Sequence, residues 1–320
     1  MTTPAEAVGR PDEPRAPSGP RVPLPLPLEL LRLSRPRQWI KNVLVFVAPA
    51  AAGVLFHRTV LLHAIAAFGL FCLAASGTYF LNDAIDADSD RRHPRKRQRP
   101  IAAGLVSIPL AVTLGLALLA ISTGLAALLA GWHLTLVIAI YAAINIAYSL
   151  ELKNEPVVDL VAVSAGFVLR AVAGGVATGV SLSNWFLIVT SFGSLLVVTG
   201  KRSGEMQLLD EHDTDPDSVR QTLGSYTPTF LRSVRTMSAA VTVTAYCLWA
   251  FERAAQLHPG HDPIWFQLTV VPFTIALLHV VLILDSGVGA APEELALKDH
   301  RLQVYGLCWV VLFAIGVYAI

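Results

Sequence analysis

Charge is scarce in this chain. Asp, Glu, Lys and Arg make up 15% of 320 residues, while 54% are hydrophobic. Soluble domains carry about 25% charged residues, so a water-exposed surface cannot be drawn from this composition, and a mean hydropathy of +0.58 points to the bilayer as solvent. Cysteine is scarce too. Cys72, Cys247 and Cys308 each sit in an apolar run with no CxxC and no neighbouring His cluster. That excludes a zinc site or a disulfide framework and leaves small core hydrophobes. The first 28 residues lack a signal-peptide core, because proline at every second position of Pro23-Leu24-Pro25-Leu26-Pro27-Leu28 forbids its helix. They read as a disordered cytosolic tail, followed by a single domain over 29–320. A net charge of +1 gives no reason to expect nucleic acid as a partner.

What the chain has is long apolar stretches. A crossing needs ~20 mostly apolar residues. Nine stretches qualify, near 40–56, 60–84, 106–130, 132–150, 157–178, 184–200, 229–252, 264–284 and 302–320. The expectation is an all-α polytopic bundle of nine transmembrane helices. Of the 24 Lys and Arg, 21 then fall on one side, Arg58 and Arg253 on the other, and Arg170 inside a span. The positive-inside rule places the N-terminus in the cytosol and the C-terminus outside. The acidic residues and long loops collect on the same cytosolic side. Chemistry is expected at that face of a multi-pass plasma-membrane protein, in contact with membrane lipid, and such a bundle is compatible with a homo-oligomer.

Four constellations lie at that face. The second span ends in Tyr79-Phe80-Leu81-Asn82-Asp83-Ala84-Ile85-Asp86-Ala87-Asp88-Ser89-Asp90. Asp83, Asp86 and Asp90 are spaced i, i+3, i+7, so a continuous helix puts them on one face, with Asn82 and Asp86 at i, i+4. Like charges this close repel unless a cation bridges them. Oxygen-only ligands select a hard ion, Mg2+ before zinc, and magnesium commonly brings substrate phosphate with it. The plain alternative is a solvated helix end. A basic run follows, Arg91 to Arg99 with Lys96 inside it. It can anchor topology or bind lipid headgroups, and beside a carboxylate–metal site it also suits a polyanionic substrate.

The third constellation is Lys153-Asn154-Glu155-Pro156-Val157-Val158-Asp159, then Gly166-Phe167-Val168-Leu169-Arg170. Glu155 and Asp159 form an i, i+4 acidic pair, and Arg170 shares a helical face with Asp159 and Gly166. An arginine inside a span costs at least about 2.5 kcal/mol in lipid and faces the bundle interior for a functional reason, or else to pair with Asp159 or Asp83. Gly174-Gly175 suit close helix packing. The fourth is Gly200-Lys201-Arg202-Ser203-Gly204-Glu205, where Lys201 and Glu205 are spaced for a local ion pair. Near the start, Arg35-Pro36-Arg37-Gln38-Trp39-Ile40-Lys41-Asn42 forms an interfacial entry.

Asn-Asp-x-x-Asp-x-x-x-Asp at 82–90, Arg-Pro-Ile-Ala-x-Gly at 99–104 and a second acidic pair before a later span resemble the UbiA superfamily of intramembrane prenyltransferases, over about residues 30–320. Within it, Arg35-Pro36-x-Gln38-Trp39-x-Lys41-Asn42, His93-Pro94-x-Lys96-x-x-Arg99-Pro100, Gly166-Phe167-x-Leu169-Arg170 and Gly200-Lys201-Arg202-x-x-Glu205 resemble the actinobacterial decaprenyl-phosphate phosphoribosyltransferase branch. One departure is Glu155-x-x-x-Asp159 where the family has Asp-x-x-x-Asp. The resemblance implies a UbiA-like bundle and transfer from phosphoribosyl diphosphate to decaprenyl (polyprenyl) phosphate, toward the arabinose donor of cell-wall arabinan. It implies Mg2+ on Asn82, Asp83, Asp86 and Asp90, with Asp159 and Glu155 as the second acidic site. Lys96, Lys153, Arg170, Lys201 and Arg202 become candidates for the phosphates of phosphoribosyl diphosphate, and Lys41 and Tyr79 for the lipid phosphate. A polyprenyl-diphosphate:aromatic-acceptor transferase would use the same aspartates. A transporter would instead show repeats, broken helices and charges at mid-depth.

Overall fold

The computed structural model describes residues 23–93, 96–212, 221–255, 263–286 and 299–318, all helix or connection, with no strand among them. Most of the tail reading therefore falls outside the described residues. Its boundary falls inside the first helix, α1 (Leu26–Leu33). Proline is tolerated in that first turn, where the N–H has no intrahelical acceptor.

The chain then runs through a 3-10 segment (Pro36–Phe46), α2 (Val47–Ala51), α3 (Arg58–Ile85) and α4 (Ala87–Arg92). Next come α5 (Ile108–Leu150), α6 (Val158–Thr178), α7 (Asn184–His212) and α8 (Pro228–Ala255). α9 (Ile264–Leu268), α10 (Val270–Asp285) and α11 (His300–Tyr318) complete it. Among the described residues, six helical stretches are long and apolar enough to cross a membrane. The nine sequence stretches map onto the helices with three differences. The 40–56 stretch is a tight 3-10 segment followed by the short α2. The 106–130 and 132–150 stretches join in α5 across Gly131, whose φ of 78° breaks the helix where glycine alone is at ease. The 229–252 stretch lies in α8, which carries Arg232 and Arg235 and is less apolar than the six.

The core packs α3 against α5 and α6, with Phe71, Ala74, Leu134, Ile138, Tyr141 and Ala173 buried between them. The 3-10 segment lies against α3 and α6. Its approach to α6 is close: a Cβ on Gly174 would stand 1.9 Å from the Val45 carbonyl oxygen. Only glycine allows that contact, as expected of small residues in membrane bundles, and it brings Lys41 and Asn42 beside α6. Cys72 is buried, whereas Cys308 is exposed on an apolar helix rather than in the core.

Candidate active site

The helix ends carrying the acidic motifs come together. α3 ends at Ile85, and Asp86 (ψ near 0°) hands the chain to α4. Backbone bonds persist through the junction, from Asp86 N–H to Asn82 O at 2.9 Å and from Asp90 N–H to Asp86 O at 2.8 Å. The i, i+7 relation of Asp83 and Asp90 survives, and one guanidinium spans them: Arg99 Nη1 donates to Asp83 Oδ1 at 3.2 Å and to Asp90 Oδ2 at 2.7 Å. Arg35 Nη2 donates to the same Asp83 oxygen at 2.5 Å, its guanidinium 4.9 Å from the Tyr79 ring centroid. Asp86 turns elsewhere, toward Lys153 Nζ at 2.5 Å. Asn82 Oδ1 accepts from the Ser149 hydroxyl at 2.9 Å. Cations from three separate segments therefore answer these carboxylates, Arg35 and Arg99 at Asp83 and Asp90 and Lys153 at Asp86. Burial pushes the Asp90 carboxyl above its ordinary value, and Arg99 pulls against that shift.

The second acidic site is built differently. Asp159, at the start of α6, is fully buried. Arg202 grips it with a two-pronged fork, Nε to Oδ2 and Nη2 to Oδ1, both at 2.7 Å. The Tyr148 hydroxyl also donates to Asp159 Oδ1 at 2.8 Å. Arg202 Nη1 takes Glu205 at 2.7 Å, so Glu205 pairs with Arg202 rather than with Lys201. Glu155 is exposed, and Lys201 is half-buried one residue before Arg202.

The turn between Lys153 and Asp159 is strained. Val157 has φ 68°, a conformation that β-branched residues rarely adopt. Its N–H donates to the Tyr226 hydroxyl at 3.0 Å, and Thr222 Oγ1 donates to the Lys153 carbonyl at 3.2 Å. Arg35 is the other non-glycine residue with positive φ among those described. Both flank the site, where strain is commonly held.

Arg170 sits deeper. It pairs with neither Asp159 nor Asp83. Its Nε donates to Asn42 Oδ1 at 2.7 Å, Nη1 to Gly166 O at 2.6 Å and Nη2 to the Tyr141 hydroxyl at 2.9 Å. Lys41 Nζ lies 5.8 Å from the Phe167 ring centroid, and Lys96 is half-buried beyond α4. Pro94 and Arg95 of the basic run lie outside the described residues. Sequence reasoning left Arg35, Arg99, Asn42, Tyr141, Tyr148 and Tyr226 without assigned roles. Two of them carried a signal: Arg35-Pro36 and Arg99-Pro100 both place an arginine before proline, where the helical conformation is disfavoured and a chain turns into its next element.

No three His, Cys, Asp or Glu among the described residues gather as a metal cage. The oxygen-only donors Asn82, Asp83 and Asp86 nevertheless fit a hard divalent ion, which is commonly held by one or two carboxylates with substrate phosphates completing the shell. Asp83, Asp86 and Asn82 are the residues that would hold it.

The UbiA prenyltransferase family profile matches residues 42–318. The chain is 45% identical over 292 residues to a decaprenyl-phosphate phosphoribosyltransferase of Corynebacterium glutamicum, covering 90% of this chain and 86% of that protein. It is 43% identical over 289 residues to the Mycobacterium tuberculosis protein of the same name, covering 88% and 91%. The fold matches a UbiA homolog from Archaeoglobus fulgidus, solved bound to GPP and Mg2+, with TM-score 0.67 and 21% identity over 91% of this chain and 100% of that one. Motifs, bundle and relatives agree, and the chain belongs to the UbiA prenyltransferase family.

Proposed function

We propose that this chain transfers the 5-phosphoribosyl group of phosphoribosyl diphosphate to decaprenyl phosphate, releasing diphosphate, in a step toward the arabinose donor of cell-wall arabinan. The reading draws on the activity for which the bacterial relatives are named. The observation that carries it is that a cation answers each acid of the motif, Arg35 and Arg99 at Asp83 and Asp90 and Lys153 at Asp86. A donor phosphorylated at both ends needs more cations than a prenyl diphosphate with one charged end. Lys96, Lys201 and Arg170 add to that supply.

In the reaction, the bond from ribose C1 to the diphosphate oxygen breaks and the pair leaves with diphosphate. A phosphate oxygen of the lipid then bonds to C1. Asn82, Asp83 and Asp86 would hold a magnesium ion, which would supply Lewis-acid neutralisation of the leaving diphosphate. Lys153 and Arg99 orient those carboxylates and can swing to donor phosphate as the ion pairs exchange. Arg202 holds Asp159 fixed through its two-pronged contact. The acceptor phosphate is already anionic, so no side chain need remove a proton from it. Lys41, beside Phe167, and Tyr79, beside Arg35, are the residues assigned here to the lipid phosphate.

We infer nine crossings, with the N-terminus and the active site cytosolic in the plasma membrane. Single cysteines at Gln98 and Ser181 should then label from opposite sides. The aromatic-acceptor reading is separated by the donor consumed. Purified protein with magnesium should deplete phosphoribosyl diphosphate in the presence of decaprenyl phosphate and leave decaprenyl diphosphate intact with an aromatic acid. The reverse pattern would replace this reading with the other.

A further inference from the structure

Buried arginines in this protein are usually answered by a carboxylate. Arg202 is gripped by Asp159, and Arg235, 4% exposed, meets Asp285 at 2.5 Å. Arg170 is as well buried, at 5% exposed. Yet its partners are an amide oxygen, a backbone carbonyl and a phenol, with no ion pair among the described residues. Its guanidinium also lies 4.8 Å from the Tyr141 ring centroid and 5.9 Å from that of Phe167. Lys41 approaches the same Phe167 ring at 5.8 Å. Two cations therefore flank one ring beside a neutral cradle. A charge left uncompensated at this depth is costly, and a carboxylate at position 42 would have removed the cost with little change of shape.

Position 42 carries Asn, 0% exposed, held in place by Nδ2 against Cys72 Sγ at 3.2 Å and by the Gly174–Val45 approach three residues on. Arg170 follows Asp159 by eleven residues, about 16 Å along α6, and its side chain folds back one turn to Gly166. Its contacts include neither Asp83 nor Asp159, so a phosphate bound by Arg170 would be a second one, separate from a diphosphate held at Asp83 and Asp86.

We propose that Asn42 and Tyr141 are positioning residues that hold Arg170 uncompensated, so that its guanidinium is available to a phosphate monoester at the floor of the site. For the identity of that monoester this rests on the phosphoribosyl-transfer reading, in which two exist: the 5-phosphate of the donor and the phosphate of the lipid acceptor.

The test is Asn42→Asp, measured for Tm in detergent and for KM of each substrate separately. The expected result is an unchanged or raised Tm, because a carboxylate now answers Arg170. With it, KM should rise tenfold or more for one substrate, while the other KM stays within twofold. The affected substrate identifies which phosphate is bound. A clear fall in Tm would show that Arg170 was not uncompensated, and unchanged KM for both substrates would show that no phosphate uses it. Either result overturns the proposal. If Asn42→Asp does not accumulate, Tyr141→Phe decides, since it removes one acceptor and adds no charge. KM for one substrate should rise threefold or more with kcat within twofold, and no change in either KM overturns the proposal. A wild-type protein that transfers no phosphoribosyl group would fail the functional reading instead, while the Tm comparison would still decide whether Arg170 is uncompensated.

Discussion

The two acidic sites differ in construction more than in composition. In the first, Asp83, Asp86 and Asp90 each meet a cation from a distant loop or helix end, and the cationic side chains are 22–28% exposed. In the second, Asp159 and Arg202 are 0% and 2% exposed and locked by a two-pronged contact with a tyrosine alongside. Asp83 and Asp90 are themselves nearly buried and share Arg99, whereas Asp86 and Lys153, 20% and 22% exposed, make a single partly exposed pair of the kind that contributes little to stability and exchanges readily. A buried pair is strongly destabilising to break, because the survivor is an unpaired buried charge. Asp86 of the first site is therefore placed to trade partners, and Asp159 of the second to hold still.

That contrast can be broken by mutation, and the largest effect is expected at the first site. Asp86→Asn should lower kcat by about a hundredfold or more, since charge stabilisation of the leaving group is worth several kcal/mol. Its Tm should stay near wild type. Retention of a third of the wild-type rate at saturating magnesium would remove Asp86 from the metal site. Arg202→Ala should act through stability instead. It should destabilise by about 3–5 kcal/mol, read as a large fall in Tm, with activity lost alongside. An Arg202→Ala protein of normal Tm and poor donor affinity would make Arg202 a phosphate ligand rather than the clamp on Asp159.

Smaller effects sharpen the comparison. Arg170→Lys keeps the charge and loses the planar fork. It should raise KM for a phosphorylated substrate, or lower kcat, by about tenfold, roughly 1.4 kcal/mol, with little change in Tm. Normal kinetics would make Arg170 a purely structural tie. Glu155→Gln should be smallest, within about twofold in rate, because an exposed carboxylate is worth little without a fixed partner. A hundredfold loss would instead make Glu155 a ligand despite its departure from the family's Asp.

Much of this was legible in the sequence. Asn82, Asp83, Asp86 and Asp90 stand out because carboxylates at helical spacing at the end of an apolar run repel one another unless cations lie between them. Arg170 stands out because charge is expensive in a span. What sequence spacing did not show was which cation answers which acid. Spacing along α7 favoured Lys201 with Glu205, whereas Arg202 takes both Glu205 and Asp159, because the helix face that meets α6 is set by tertiary packing. Asp83, Asp86 and Asp90 looked like one converging face, but the break at Asp86 turns that residue to Lys153. Neutral partners are hardest to foresee. Nothing in the periodicity marks Asn42 or Tyr141 as a cradle, since Asn42 meets Arg170 where Gly174 lets the 3-10 segment approach α6, and Tyr141 meets it across the packing of α5 on α6. Gly131 is the opposite case: the apolar stretches 106–130 and 132–150 already part there, and its φ of 78° splits α5 at the same residue.

The most direct measurement uses phosphoribosyl diphosphate labelled in the ribose, incubated with the purified protein, decaprenyl phosphate and magnesium, followed by extraction of the lipid phase. Label should enter the lipid in step with diphosphate release, stop on chelation of magnesium, and be absent with Asp86→Asn. Donor consumption with no label in the lipid, or transfer that survives both chelation and Asp86→Asn, would contradict the account.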